Sequence, residues 1–238
     1  MKFKRILVKL SGEGLANKSK SLAIDYNLVE NIALQLKKIV EKGVQVSVVI
    51  GGGNFWRGAS AEKNGIPRNR ADYIGMVATI MNGLALQSGF QKVGLKTRVV
   101  SSLNIDERVA GYYINEKADK YLERGEVVIF TGGTGRPYFT TDTAATLYAS
   151  EIQAEVILMG KNGVKGIYDS DPKFNPNAVK FDKITYDEIL ERKLQVMDLT
   201  ATAMARDNNI GLIVFDIQEE NAILRAIEGT IEFTEVTR

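Results

Sequence analysis

Two apolar runs in this chain each end in a cluster of glycines. Residues 44–50 lead into Gly51-Gly52-Gly53-Asn54, and residues 127–130 lead into Thr131-Gly132-Gly133-Thr134-Gly135. A glycine turn after a strand brings backbone N–H groups close to a ligand with no Cβ in the way. One such turn also serves as an ordinary strand–helix corner. Two of them, with Lys9 at the end of a third apolar run, suit two phosphate groups held facing each other.

Strand-like runs alternate with helical patterns throughout. Strands are predicted at 3–10, 44–50, 97–101, 127–131, 156–159 and 212–216, mostly as continuous Val/Ile/Leu runs expected of strands buried on both faces. Helices are predicted at 26–42, 70–89, 144–153, 186–193, 198–208 and 221–228. In the first, Leu28, Ile32, Leu36 and Ile39 share a face, and Gly43 ends it. The alternation predicts an α/β fold, a three-layer αβα sandwich around a mostly parallel sheet. No linker, repeat or low-complexity segment divides the 238 residues, so a single domain over 1–238 is expected. In such sheets ligands bind at the carboxyl ends of the strands, where both glycine clusters fall.

Cysteine and histidine are both absent. Thiol nucleophiles, Cys/His zinc sites and Ser-His-Asp mechanisms are thereby excluded. Catalysis must rely on Lys, Arg, carboxylates, hydroxyls, backbone dipoles or a hard metal ion. The net charge of +2 asks for neither nucleic acid nor a membrane surface as partner. With no long apolar run and no leader-like segment, a cytoplasmic location is expected. Neither G-x-x-x-x-G-K-[ST] nor G-x-G-x-x-G occurs, which argues against a P-loop protein and a Rossmann dehydrogenase.

The residues that can carry chemistry cluster in five segments. Lys9-Leu10-Ser11-Gly12-Glu13 sets an ammonium beside a Ser-Gly turn; alone, it reads equally as a surface lysine before a turn. Arg57 can grip a phosphate bidentately, or make a surface salt bridge. Trp56 beside it reads as packing. The stretch Thr134-Gly135-Arg136-Pro137-Tyr138-Phe139-Thr140-Thr141-Asp142 offers hydroxyls, amides and a guanidinium to an anion. Thr141 or Asp142 is expected to cap the following helix, and Asp142 can also hold Mg²⁺ or a catalytic lysine. On the long helix Asp72, Gly75, Thr79 and Asn82 share one face, while Gly75, Ala78, Asn82 and Ala85 form a small-residue stripe. That stripe reads either as close internal packing or as the contact of a second subunit. Tyr168 and Asp171 can flank a base and accept from a ribose hydroxyl, or form an ordinary Asp-Pro turn.

Taken in order, these segments resemble the bacterial UMP kinases of the amino-acid kinase superfamily. The resemblance covers nearly the whole chain. Its most specific pieces are Ile6-Leu7-Val8-Lys9-Leu10-Ser11-Gly12-Glu13, Val49-Ile50-Gly51-Gly52-Gly53-Asn54, Met81-Asn82-Gly83-Leu84-Ala85, the Thr134–Asp142 stretch and Val196-Met197-Asp198-Leu199. It implies phosphoryl transfer from ATP to UMP in pyrimidine nucleotide biosynthesis, with Mg²⁺, by a homohexamer. It implies that Lys9, Leu10, Ser11, Gly12, Gly53 and Arg57 hold ATP phosphates and that Asn162, Tyr168 and Asp171 contact the adenosine. It implies that Gly52, Asp72, Thr134, Gly135, Arg136, Pro137, Tyr138, Phe139, Thr140 and Thr141 hold UMP. Lys9, Arg57 and Asp142 would be catalytic, with Asp142 at the metal. Lys165 stands where the family usually has Asp, and Arg136 where Asn is common. Residues 18–23 lack the glycine-rich segment that accompanies GTP activation in some members. The alternatives are a kinase of small carboxylates, or a nucleotide-binding sensor on the same fold.

Overall fold

A computed structural model describes residues 2–58 and 64–237. Its centre is one nine-stranded sheet. The strands are β1 (Arg5–Leu10), β2 (Gln45–Ile50), β3 (Thr97–Ser101), β4 (Gly111–Tyr112), β5 (Val127–Thr131), β6 (Val156–Lys161), β7 (Lys183–Thr185), β8 (Gly211–Asp216) and β9 (Phe233–Thr237). They run in the spatial order β4-β3-β5-β2-β1-β6-β8-β9-β7. Every neighbouring pair is parallel except β8 with β9. The helices are α1 (Tyr26–Glu41), α2 (Arg68–Lys92), α3 (Asn115–Glu123), α4 (Thr141–Glu151), α5 (Tyr186–Glu191), α6 (Leu199–Asp207) and α7 (Ala222–Glu228).

The sheet has a core on each face, so this is the αβα sandwich that the alternation predicts. On β1, Ile6, Val8 and Leu10 pack with α1, α2 and α7, while Leu7 packs on the opposite side with α4. On β6, Val156 and Leu158 join the first core, and Ile157 and Met159 the second. The period of two therefore carries Lys9 and Lys161 to one face, at the ends of neighbouring strands. The register pairs Lys9 with Met159 and leaves Lys161 one step beyond it on the same side.

The predicted strands and helices all form, with shifted ends. Strands β4, β7 and β9 and helix α3 have no counterpart in the sequence reading. The first two are only 2 and 3 residues long. Helix α3 is short and mostly polar, with only Ala118, Tyr121 and Leu122 turned to the core, too few apolar residues to stand out in the sequence. Strand β9 hides a threonine, Thr234, beside Val236. On α1 the inward face is Val29, Ile32, Ala33, Leu36 and Ile39; Leu28 is exposed, one position off the predicted stripe.

The small-residue stripe on α2 packs inside this chain, which overturns its reading as a subunit contact. A Cβ at Gly52 would lie 2.7 Å from the Gly75 carbonyl and 3.0 Å from the Ala78 Cβ. Ala78 and Ala85 are both buried. The small side chains let α2 lie against the Gly51–Asn54 turn. Asn82, fully buried, then donates to the Gly51 carbonyl at 2.7 Å and to Asn54 Oδ1 at 2.8 Å. Asn54 returns a bond to Asn82 Oδ1 at 2.9 Å and donates to the Ala23 carbonyl. This amide pair, buried at Asn82, pins the first glycine turn to the long helix.

Candidate active site

The carboxyl ends of β1, β2, β5 and β6 converge. Gly12, just past β1, faces the β2 turn so closely that a Cβ there would meet the Gly51 carbonyl at 2.5 Å and the Gly53 nitrogen at 2.7 Å. Ser11 accepts from the Gly14 N–H and caps the short 3₁₀ turn Gly12–Leu15. Leu10 is buried in the core and its carbonyl takes the Gly51 N–H.

Lys9 and Asp142 form the centre. Lys9 Nζ lies 2.8 Å from Asp142 Oδ1, and both side chains are largely buried. Asp142 is in the first turn of α4, whose N-cap is Thr140 and not Thr141 or Asp142 as expected from sequence. The Thr140 hydroxyl accepts from the Asp142 and Thr143 N–H groups. Asp142 Oδ1 is fully buried, and although it faces the Lys9 charge it receives no aligned hydrogen bond.

Two residues outside the predicted set complete this centre. Lys161 donates to the Val196 carbonyl at 2.7 Å. Burial holds its ammonium below the usual lysine range; the Lys9 charge adds to that, and Asp142 opposes it. Asp142 thus pairs with Lys9 and acts on Lys161 through its charge. Asp198, the N-cap of α6, accepts from the Thr140 hydroxyl and, at 2.9 Å, from the Thr143 hydroxyl. Burial alone would raise its pKa, but the hydrogen bonds from Thr140, the Ala201 N–H and Thr143 hold the carboxyl below its usual range. One carboxylate therefore ties the starts of α4 and α6 together.

A cavity of about 380 Å³ opens on one side of the centre. Gly52, Gly53, Asp72, Thr134, Phe139, Thr140 and Thr141 line it, together with Trp56 and Arg68. Trp56 donates from Nε1 to the Ala71 carbonyl, so it packs as expected while forming a wall. Asp72 accepts from Arg68 Nε at 3.1 Å and from the Tyr138 N–H at 2.7 Å. That second bond holds Tyr138 at φ 73°, an uncommon backbone for a residue with a side chain. Gly135, Arg136, Pro137 and Tyr138 are not part of the wall; Arg136 is exposed.

A second cavity, about 600 Å³, is lined by Lys161, Tyr168, Asp171, Phe174 and Val196 among others. Asp171 also makes the Asp-Pro turn, accepting from the Lys173 N–H at 2.9 Å. Asn162 lies apart from Tyr168 and Asp171, facing a depression between Glu13 and Gln218. Arg57 pairs with Glu13 at 2.6 Å and lines neither cavity. Thr141, next to Asp142, belongs to the first cavity, and Lys161 to the second. The Lys9–Asp142 pair adjoins both through these neighbours, Thr141 in sequence and Lys161 on the next strand.

The sequence pattern of the amino acid kinase family matches residues 4–216. The chain belongs to that family. It is 75% identical over 238 residues to the uridylate kinase of Mycoplasmopsis synoviae (strain 53), covering 100% of both chains. It is 70% identical over 234 residues to that of Mycoplasmopsis pulmonis (strain UAB CTIP), covering 98% of this chain and 96% of the other. The structure is similar to the UMP kinase from Ureaplasma parvum, with a TM-score of 0.95, 43% identity and 100% coverage of each chain. It is also similar to the UMP kinase from Bacillus anthracis, with a TM-score of 0.93, 38% identity and coverage of 99% and 96%.

Proposed function

We infer that this chain transfers the γ-phosphoryl group of ATP to the phosphate of UMP, giving ADP and UDP. The observation that carries the reading is the Lys9–Asp142–Lys161 centre between two cavities of nucleotide size. Full-length relatives named uridylate kinase support the choice of acceptor. On this reading the first cavity takes UMP, with Asp72 at the ribose, and the second takes the adenosine part of ATP, with Tyr168 and Asp171.

The chemistry suits a chain without histidine. The second pKa of a phosphate monoester is about 6, so the acceptor oxygen is already an anion at neutral pH and no general base is required. Phosphoryl transfer then depends on alignment and on neutralising charge that spreads over the equatorial oxygens. Lys9 and Lys161 supply two fixed positive charges, and the glycine turns supply N–H donors. Asp142 holds the Lys9 ammonium, the Val196 carbonyl holds that of Lys161, and the carboxylate offsets the charge of both.

The residues present fit Mg²⁺ carried with ATP. No group of three or more acidic side chains that could hold a metal occurs among the described residues. One buried carboxylate oxygen without an aligned donor, Asp142 Oδ1, does face the centre. Magnesium needs only one or two carboxylates when phosphate oxygens complete its shell. When bound, the ion would neutralise phosphate charge.

Assembly follows from the outer face of α2. Ile74, Val77 and Met81 recur at helical spacing and are 41%, 50% and 48% exposed, although the opposite face is buried in the core. A helix apolar on both faces needs a second cover. We place the subunit contact there, in a homo-oligomer of the size the family resemblance implies, a hexamer. Light scattering should give a mass several times that of one chain, and Val77→Asp should reduce it. A parent chain that is monomeric at micromolar concentration would remove the proposal. A cytoplasmic location and a place in pyrimidine nucleotide synthesis belong to the same reading; no described helix is long and apolar enough to cross a membrane.

Coupled ADP release with each nucleoside monophosphate in turn tests the reaction. UMP should support turnover far better than AMP, GMP or small carboxylates. Preference for a carboxylate acceptor would move the chain elsewhere in its family, and ligand binding without ADP release would make it a sensor.

A further inference from the structure

The second glycine turn is held from behind by hydroxyls on three different elements. Thr79, on α2, accepts from the Gly132 N–H at 2.7 Å. Ser102, just past β3, donates to the Gly132 carbonyl at 2.7 Å. Tyr148, on α4, donates to the Gly133 carbonyl at 2.8 Å. Gly132 and Gly133 have φ of 80° and 58°, so the turn has a backbone with little preference of its own to hold it.

In a trans peptide the C=O and the following N–H point in opposite directions. A carbonyl anchored toward the core therefore turns the next N–H away from it. Among the described residues, no protein acceptor takes the Gly133 or the Thr134 N–H. Both residues line the first cavity. Two unpartnered donors facing a cavity ask for oxygen acceptors.

We propose that Tyr148, with Ser102, is a positioning residue that fixes these two peptide planes, so that the Gly133 and Thr134 N–H groups meet oxygens of the bound monophosphate. This rests on the reading of the first cavity as the acceptor site. Tyr148 suits the role because its ring is clamped. It stacks on Phe130 at 4.3 Å with 7° between planes and meets Tyr113 edge-on at 5.0 Å. Burial pushes its hydroxyl pKa up to about 12, so it remains a donor through the neutral range. Nothing in the sequence marks Tyr148, because a lone aromatic on a helix of small residues reads as core packing.

Tyr148→Phe tests the proposal, since phenylalanine keeps the stacked ring and removes only the donor. The KM for UMP should rise about three- to tenfold, the scale of one lost hydrogen bond. The kcat at saturating UMP and the KM for ATP should stay near parental values. Ser102→Ala should act in the same direction. Calorimetry with UMP alone should show the same loss as a raised Kd. Unchanged UMP affinity in both variants would overturn the proposal. So would an equal weakening of UMP and ATP accompanied by a lowered melting temperature, which is what a merely structural role gives. Failure of the transfer reaction would look different: the parent chain itself would show no UMP-dependent ADP release.

Discussion

Lys9→Ala should lower kcat by about 10²–10³-fold, the scale of losing one preorganised charge contact at a reacting centre. The Lys9 ammonium lies 2.8 Å from Asp142 in a largely buried setting, where a charge acts more strongly than it would in water. Its attraction is greatest when negative charge spreads across the transferring group, so the loss should fall on kcat and much less on the KM for UMP. Steady-state ADP release at varied UMP and ATP separates the two. If the variant keeps near-parental turnover, Lys9 only neutralises Asp142 and the reaction centre is elsewhere.

Asp142→Asn should cost at least about a hundredfold in kcat, for a different reason. The carboxylate pairs with Lys9 and also offsets the charge of Lys161, and an amide would leave both cations in this largely buried setting without that anion. Its loss has a second signature in pH dependence. Asp142 now favours the charged form of Lys161 against burial and the Lys9 charge. Removing it should push the Lys161 pKa lower still, so the alkaline limb of the kcat profile should move to lower pH. A variant that loses activity with an unmoved alkaline limb would separate Asp142 from Lys161. Full activity would remove Asp142 from the centre altogether.

These two predictions differ in how far the sequence supports them. Lys9 is legible at once, because it closes an apolar run and a Ser-Gly turn follows it. Asp142 is legible as a carboxylate at a helix start. Lys161 carries a weaker signal: it ends a strand, and alternation places it with Ile157 and Met159 on the face that Lys9 shares with Leu7. What that pattern lacks is the strand order. Only the pairing of β1 with β6 makes the two lysines neighbours, and they lie far apart in the chain.

The glycine turns show the same division. Their glycines are plain in the sequence, and so is the expectation that backbone donors lie there. That Asn82 holds one turn and Thr79, Ser102 and Tyr148 hold the other follows from packing between elements distant in the chain. Arg57 illustrates the reverse case. Its charge and place after Gly53-Asn54 suit a phosphate, and the fold sets it beside Glu13, a partner that nothing in the sequence singles out.

The sequence by itself determined the layered α/β class, because continuous apolar strands separated by amphipathic helices can bury both sheet faces in few other ways. It also determined the kind of chemistry, because a chain without cysteine or histidine must use ammonium groups, carboxylates and backbone amides. Tertiary structure decided which of those groups meet. It set strand order and thus the Lys9–Lys161 pairing, and it turned the small-residue face of α2 inward against the Gly52 turn. It also left Ile74, Val77 and Met81 facing out. The physical reason is that helical spacing fixes which residues share a stripe, whereas the direction the stripe faces depends on what packs against it.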